Sequence, residues 1–371
     1  MIRPSSSPEV HELANSLGIE SKDPAVDIVV HCRQLVDDWV AQAGGIGPEA
    51  ISDINALETL IKRHLSLVVE EILTEDDFER LTDKYARGMG EYVFAGLRAE
   101  FDDPETPVFG VLIQRRSSVE KDPDRFVAVV DCREELSGEK FARRYFTKWH
   151  EIAHRMTTHR YPDDLAYRSD DDDPIETLMD AVASELGFYE PFLGPALRDA
   201  LANENWLTFE MIESIIQGVF PEASFQATLF ACMRLSPTPM VYIELADNPL
   251  AIQKTIPNAA AYAHWLQADE QSSNAHDSTQ VNIRSTKISC GQIVQPESLF
   301  YRVLEGDLLY DEIEHHLCDF KAPENPSYLG RFPCEFRQNS IPNLSKYAHR
   351  GVLAHVQVRR VPGKLIGLIQ Y

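Results

Sequence analysis

Apolar side chains recur with helical spacing along the first hundred residues of the chain. Within residues 27–43, 51–71 and 75–100 they return every three or four positions, which is the period of one helix face. A Gly-Gly-Ile-Gly-Pro run at residues 44–48 separates the first two of these segments. We therefore expect a helical N-terminal region, residues 1–104, that packs on the part of the chain following it.

The next segment combines short strands with two amphipathic helices. Two apolar runs, residues 108–114 and 126–131, predict the strands of a small sheet. A helix is predicted at residues 141–156, and a second one begins at Asp173 and Pro174, a favourable cap and first helical residue. The first helix is expected to bury Phe141, Tyr145, Trp149, Ile152 and Met156. The second is expected to bury Ile175, Leu178, Met179, Val182 and Leu186.

The pattern changes again towards the end of the chain. Two helices are predicted at residues 208–217 and 222–235, and they resemble a helix-turn-helix over residues 206–237. The second of them carries Arg234 as its basic residue, so we do not expect it to read DNA. The clearest strands after it are residues 240–245, 351–358 and 364–371. Residues 238–371 are therefore expected to form a mixed α/β C-terminal domain, and the predicted fold class is α+β.

Composition and charge narrow the function classes. The chain has 371 residues and a formal net charge of −24 at pH 7, without an apolar run long enough for a membrane span. Its first residues lack the apolar core of a signal peptide, so we expect a cytoplasmic protein with no membrane partner. Such an acidic protein repels phosphate backbones, which disfavours nucleic-acid binding and favours a basic protein partner. The six cysteines form no C-x-x-C pair and are expected to be reduced thiols.

The first amphipathic helix carries the motif H-E-x-x-H at His150, Glu151 and His154. Residues four apart lie on one helix face, so the two imidazoles can ligate a single metal ion. Glu151 lies one step round the helix, where its carboxylate can act as a general base on metal-bound water. The alternative interpretation is two histidines on a half-exposed helix face, without a metal.

A third ligand is expected, because catalytic zinc usually has three protein ligands and one open position. Glu176 and Asp180 lie four residues apart on the second helix, away from its apolar stripe. We interpret Glu176 as the third ligand and Asp180 as an acceptor for the free N–H of a ligand histidine. The alternative for this pair is a solvated acidic face.

At these motifs the chain resembles the ImmA/IrrE metallo-endopeptidases. In that family a strand leads into a helix of the form F-T-x-x-H-E-x-x-H, and a second helix carries E-x-x-x-[ND]-x-x-A. The matching segments here are FVAVVD at residues 126–131, FTKWHEIAH at residues 146–154 and IETLMDAVASEL at residues 175–186. The resemblance implies a helix-rich, zincin-like metallopeptidase core over residues 105–205. Its site would consist of the ligands His150, His154 and Glu176, the general base Glu151, and Asp180 at the Asn/Asp position.

The same resemblance implies a cofactor and a substrate. The cofactor would be zinc, with Mn2+ as the alternative in the cell. Members of the family cleave helix-turn-helix transcriptional repressors and so derepress stress, phage or mobile-element genes. Some members carry a sensor-like domain of the GAF type at the C-terminal end. Two other function classes stay open: a regulatory binding protein that holds zinc structurally and does not cleave, and a metal hydrolase that acts on a small molecule.

Overall fold

The chain forms two compact units in the computed structural model. Residues 2–199 with 213–231 make one unit, and residue 1, residues 200–212 and residues 232–371 make the other. The division of the chain at residues 104, 205 and 237 stays a prediction. The described residues are 7–103, 108–116, 122–133, 139–157, 173–202, 206–238, 240–247, 250–257, 260, 316–319, 353–361 and 364–370.

Helices and strands both contribute, which confirms the α+β class. The helices are α1 (Pro8–Ser16), α2 (Pro24–Gln42), α3 (Ile54–Leu65), α4 (Glu75–Leu81), α5 (Leu97–Phe101), α6 (Glu139–Thr157), α7 (Pro174–Gly187), α8 (Glu190–Leu201), α9 (Phe209–Val219) and α10 (Phe225–Leu235). The strands are β1 (Leu67–Ile72), β2 (Gly110–Gln114), β3 (Phe126–Asp131), β4 (Met240–Asp247), β5 (Leu250–Pro257), β6 (His316–Asp319), β7 (Leu353–Val361) and β8 (Lys364–Gln370). Within the described part of the chain, no helix is long and apolar enough to cross a membrane.

A three-stranded sheet with the order β1-β3-β2 lies at the centre of the first unit. The central strand β3 is buried throughout and pairs parallel with β1 and antiparallel with β2. Both strands predicted within residues 108–131 are confirmed, and Gly110 at the start of β2 lies opposite Val130 of β3. Because β2 is an edge strand, one side of its backbone is directed away from the sheet.

The hydrogen-bond register shows which groups of β2 are directed to that free edge. The Asp131 N–H donates to the Phe109 carbonyl at 2.9 Å, and the Arg115 N–H donates to the Arg125 carbonyl at 2.9 Å. In an antiparallel pair, the residues between such hydrogen-bonded pairs direct their N–H and C=O groups the other way. These residues are Gly110, Leu112 and Gln114. No strand among the described residues pairs with this edge.

The sheet separates two layers of helices and turns. On one face an apolar cluster buries Ile72, Phe78, Leu81, Tyr85, Phe94, Leu97, Phe101, Val111, Ile113, Val127 and Val129. Helix α6 covers the opposite face. The Arg143 guanidinium lies 4.7 Å from the ring centroid of Phe109, and the Arg155 guanidinium lies 3.8 Å from that of Phe126. Since Phe126 pairs with Gln114 at the far end of β2, α6 runs beside β2 in the same direction.

Buried contacts fix α6 from several sides. Its predicted apolar stripe is confirmed at four positions, Tyr145, Trp149, Ile152 and Met156, while the side chain of Phe141 lies outside those described. The buried Lys148 ammonium lies 2.7 Å from Glu58 Oε2 on α3 and 3.1 Å from Glu222 Oε2. Arg155 Nε also donates to the carbonyl of Leu65 at 3.1 Å. These contacts leave α6 little freedom to rotate.

Two sequence predictions for the N-terminal region are wrong. The helix expected at residues 51–71 ends at Leu65, because Ser66 adopts a left-handed conformation with φ 51° and the following residues pair with β3. The helix expected at residues 75–100 is broken into α4, a π-helical turn, a 3-10 turn and α5. Gly90, with φ 77°, lies at the break between the two turns. The helix predicted at residues 27–43 is confirmed within α2.

The second unit contains a five-stranded antiparallel sheet with the order β5-β4-β8-β7-β6. Strand β4 covers the strand predicted at residues 240–245, and β7 and β8 correspond to the two last predicted strands. The Gln370 side chain accepts from the Leu207 N–H at 2.8 Å and donates to its carbonyl at 2.7 Å. The two helices predicted at residues 208–217 and 222–235 are confirmed as α9 and α10, of which residues 213–231 belong to the first unit. A sensor-like domain of the GAF type stays a prediction.

Candidate metal centre

The H-E-x-x-H motif lies in the second half of α6. Trp149, Ile152 and Ala153 are fully buried, so the side of α6 that carries them is fixed in the core. His150 and His154 project from another face, and their rings meet edge to face with centroids 4.7 Å apart. The helical spacing predicted from the sequence therefore brings the two imidazoles together.

Helix α7 contributes the carboxylates. It begins as predicted, because the Asp173 side chain accepts from the Ile175 N–H at 2.7 Å and Pro174 is the first helical residue. Four residues of its predicted stripe, Leu178, Met179, Val182 and Leu186, are fully buried, while Ile175 is half-buried. The packing of this stripe directs Glu176 and Asp180 towards α6.

Three side chains converge on one point. His150 Nε2 lies 2.9 Å from Glu176 Oε2 and 3.0 Å from His154 Nε2, and His154 Nε2 lies 3.2 Å from Glu176 Oε1. One ligand atom from each residue lies within 4.8 Å of the others. Atoms that ligate one tetrahedral zinc at 2.0–2.1 Å lie about 3.3 Å from each other. The spacing of the three ligand atoms therefore fits a single metal ion, with little rearrangement.

Asp180 fixes the orientation of His150. Its Oδ1 lies 2.8 Å from Nδ1 of His150, a hydrogen bond in which the imidazole N–H donates to the carboxylate. With this proton on Nδ1, Nε2 is the nitrogen directed towards His154 and Glu176, and its lone pair becomes available to a metal once Nε2 loses its own proton. Carboxylates orient metal-ligating histidines by this kind of hydrogen bond, and the role of Asp180 at a metal site stays a prediction.

One oxygen at the centre has no hydrogen bond. Glu176 Oε1 is buried and accepts none, although His154 Nε2 lies 3.2 Å away. Leaving a buried carboxylate oxygen without a donor costs free energy. A cation between the three side chains would satisfy this oxygen, and two imidazoles with one carboxylate are a ligand set of zinc and related transition metals. We conclude that the site fits a metal ion.

The charges of the site are strongly coupled. Burial alone would lower the pKa of His150, but hydrogen bonds with Asp180 and Glu176 outweigh it and raise the pKa to about 10. Burial alone would raise the pKa of Glu176, but its hydrogen bond with His150 and the nearby charges of His150 and His154 lower it to about 2. Without a metal, the site is therefore held together at neutral pH by a protonated imidazole and an ionised carboxylate.

Glu151 is buried beside this cluster and does not join it. The residue is 6% exposed. Burial raises the pKa of its carboxyl group, partly opposed by the charges of His154 and His150. A raised pKa makes a carboxylate a better proton acceptor near neutral pH. The environment of Glu151 therefore suits a general base.

Gly110 and Thr147 lie beside Glu151, and the sequence motifs do not identify either as a neighbour of the site. A Cβ atom on Gly110 of β2 would lie 2.6 Å from Glu151 Oε1 and 2.8 Å from Cγ2 of Thr147 on α6. The signal was present, because a single glycine within a strand often marks the close approach of another group. What the strand approaches, however, depends on how α6 packs on the sheet.

No protein-family model matches this chain, and none of the curated proteins matches it. The resemblance to the ImmA/IrrE metallo-endopeptidases is thus carried by the motifs alone, and membership of that family stays a prediction.

Metal binding at pH 7 should release about one proton from His150. The raised pKa of His150, about 10, keeps its imidazole protonated in the metal-free protein, and a metal ligand must lose that proton. Metal affinity should consequently rise with pH until the pKa of about 10 is passed. Calorimetric titration with Zn2+ in buffers of different ionisation enthalpy measures the number of protons released.

The matched variant is Asp180→Asn. It removes the carboxylate that raises the pKa of His150, so fewer protons should be released, and Zn2+ affinity should fall about 10–100-fold. Any proton lost from metal-bound water contributes to both proteins and cancels in the comparison. Equal proton release and equal affinity in both proteins would contradict the role of Asp180.

Proposed function

We propose that this protein is a zinc-dependent endopeptidase, with Mn2+ as an alternative metal. The observation that carries the proposal is the combination of three converging ligand atoms with a buried carboxylate, Glu151, that is not one of them. A purely structural zinc site is closed by four ligands and needs no general base. A catalytic site needs both an open metal position and a proton acceptor beside it.

The side chains divide the chemistry between them. Zinc held by His150, His154 and Glu176 would lower the pKa of a bound water to about 7 and polarise the scissile carbonyl. The Glu151 carboxylate would serve as the general base for the attacking water and would later return the proton to the leaving amine nitrogen. Asp180 would hold the Nδ1 proton of metal-bound His150, so that Nε2 is the ligand atom.

The free edge of β2 suits an extended peptide. The N–H and C=O groups of Gly110, Leu112 and Gln114 are directed away from β3 and can pair with the backbone of a substrate strand. Gly110 also lies against Glu151, so a peptide bound along this edge would pass beside the base. A row of backbone donors and acceptors favours a peptide over a small molecule as substrate.

The substrate class follows from the resemblance and the charge together. The ImmA/IrrE resemblance implies a helix-turn-helix transcriptional repressor, whose cleavage derepresses stress, phage or mobile-element genes. DNA-binding repressors carry basic surfaces, and a protein with a net charge of −24 attracts them. The same charge opposes direct binding of the enzyme to nucleic acid.

Replacing Glu151 by glutamine should abolish cleavage and leave metal binding intact. The amide cannot accept a proton, so kcat should fall about 1000-fold, while the three ligands are unchanged. Zinc-loaded wild type and Glu151→Gln are incubated with purified helix-turn-helix repressors of phage and mobile elements. Mass spectrometry follows the products, and metal analysis establishes equal zinc content.

Glu79→Gln is the matched control, because the Glu79 side chain on α4 is 75% exposed and has no role assigned to it at the site. It should cleave as the wild type does. Equal cleavage by wild type and Glu151→Gln would contradict the assignment of the base. Repressor binding without cleavage by any of the proteins would favour the non-cleaving regulatory function, and cleavage of small amides alone would favour a small-molecule hydrolase.

The edge-binding proposal predicts different effects for two proline substitutions in β2. Gln114→Pro removes an N–H that is directed to the free edge, so KM should rise about fivefold through the loss of one peptide hydrogen bond, with kcat little changed. Ile113→Pro removes an N–H that bonds to β3 and should lower the melting temperature instead. Steady-state kinetics and thermal unfolding measure the two effects. An unchanged KM in Gln114→Pro would contradict binding along this edge.

A further inference from the structure

Gly110 of β2 lies so close to Glu151 that a side chain at position 110 would clash with the Glu151 carboxylate. A Cβ atom built there would lie 2.6 Å from Glu151 Oε1, 3.1 Å from its Cδ and 2.8 Å from Thr147 Cγ2. Real Cβ atoms essentially never approach other heavy atoms within 3.0 Å. The first residue of the edge strand and the carboxylate of Glu151 are therefore in direct contact.

Backbone conformation does not explain this glycine. Among the described glycines, positive φ angles occur at Gly18, Gly44, Gly45 and Gly90, and Gly110 is not one of them. Its strand continues with the apolar residues Val111, Leu112 and Ile113, which suit a pleated sheet better than glycine does. Glycine weakens a strand and often marks a place where another group approaches closely. Here the group that approaches is the Glu151 carboxylate.

We propose that Gly110 is the positioning residue for Glu151, and that the absence of its side chain fixes where the base lies. This inference rests on the proposed function, in which Glu151 is the proton acceptor. The same residue directs its own N–H and C=O to the free edge of β2. The backbone of Gly110 would thus contact both the base and a peptide bound along that edge. It would thereby fix the position of the Glu151 carboxylate relative to the peptide.

The geometry also determines what an added methyl group would displace. Helix α6 is held by the buried Trp149 and Lys148 and by the half-buried Arg155, so its backbone cannot yield easily. The carboxylate of Glu151 is the end of a flexible side chain and moves first. The three heavy atoms nearest to the added Cβ belong to Glu151 and Thr147 and none to His150, His154 or Glu176, so the metal ligands should stay in place.

Gly110→Ala should therefore separate catalysis from metal binding. We expect kcat to fall about 100-fold, since a displacement of about 1 Å can cost that much, with Zn2+ affinity within about twofold of wild type. A crystal structure of the zinc-loaded variant should show the Glu151 carboxylate moved by about 1 Å and the three ligands unmoved. Gly218→Ala is the control, because nothing lies within 4 Å of its added Cβ, and it should behave as the wild type.

A double-mutant cycle distinguishes positioning from general damage to the strand. Aspartate at position 151 is one methylene shorter and withdraws from the added methyl group. Gly110→Ala should then reduce kcat by less than about threefold in a Glu151→Asp background, although Glu151→Asp itself lowers activity. A merely structural role would give the same 100-fold loss in both backgrounds and would overturn the proposal.

Thr147→Ser removes Cγ2, the other atom that a Cβ at position 110 would clash with. It tests whether the glycine serves the packing of Thr147 and not the position of Glu151. The loss caused by Gly110→Ala should persist in this background, and a full recovery would show that the glycine serves the packing of Thr147. If the zinc-loaded wild type cleaves no peptide, the proposed function fails. The positioning of Glu151 is then decided by the crystal structures alone, and an unmoved carboxylate in Gly110→Ala would refute it.

Discussion

The site depends above all on the close packing of α6 against α7, because its ligands come from both helices. A Cβ atom on Gly187 would lie 2.9 Å from the Trp149 indole, so the two helices approach as near as a glycine allows. The Tyr145 hydroxyl donates to the Gly187 carbonyl at the same level. Trp149, which makes this contact, directly precedes His150. The contact therefore sets the distance at which Glu176 and Asp180 approach the imidazoles.

Electrostatics explains how such a cluster persists before a metal arrives. Two imidazoles and the Glu176 carboxylate would be costly to bury separately, since each charge loses its hydration. Sharing protons among them lowers that cost, as the raised pKa of His150 and the lowered pKa of Glu176 express. The raised pKa of His150 contributes stability below pH 6.5 that is lost as the pH rises through about 10. The lowered pKa of Glu176 contributes stability above pH 4.5 that is lost as the pH falls through about 2.

Local patterns in the sequence were enough to predict most of the site. The spacing of His150, Glu151 and His154 is a property of one helix, and the spacing of Glu176 and Asp180 of another. The predictions failed where tertiary contacts override periodicity. Residues 67–72 continue a helical apolar pattern, but the left-handed Ser66 and pairing with β3 make them a strand. The part played by Gly110 likewise depends on a contact between β2 and α6 that no sequence period encodes.

The central claim is that His150, His154 and Glu176 hold one metal ion between α6 and α7. Anomalous X-ray diffraction from zinc-loaded crystals, recorded on both sides of the zinc absorption edge, tests it most directly. We expect one peak about 2.0–2.2 Å from Nε2 of both histidines and from a Glu176 carboxylate oxygen. A peak elsewhere with none at this position, or none at all with zinc in excess, would contradict it.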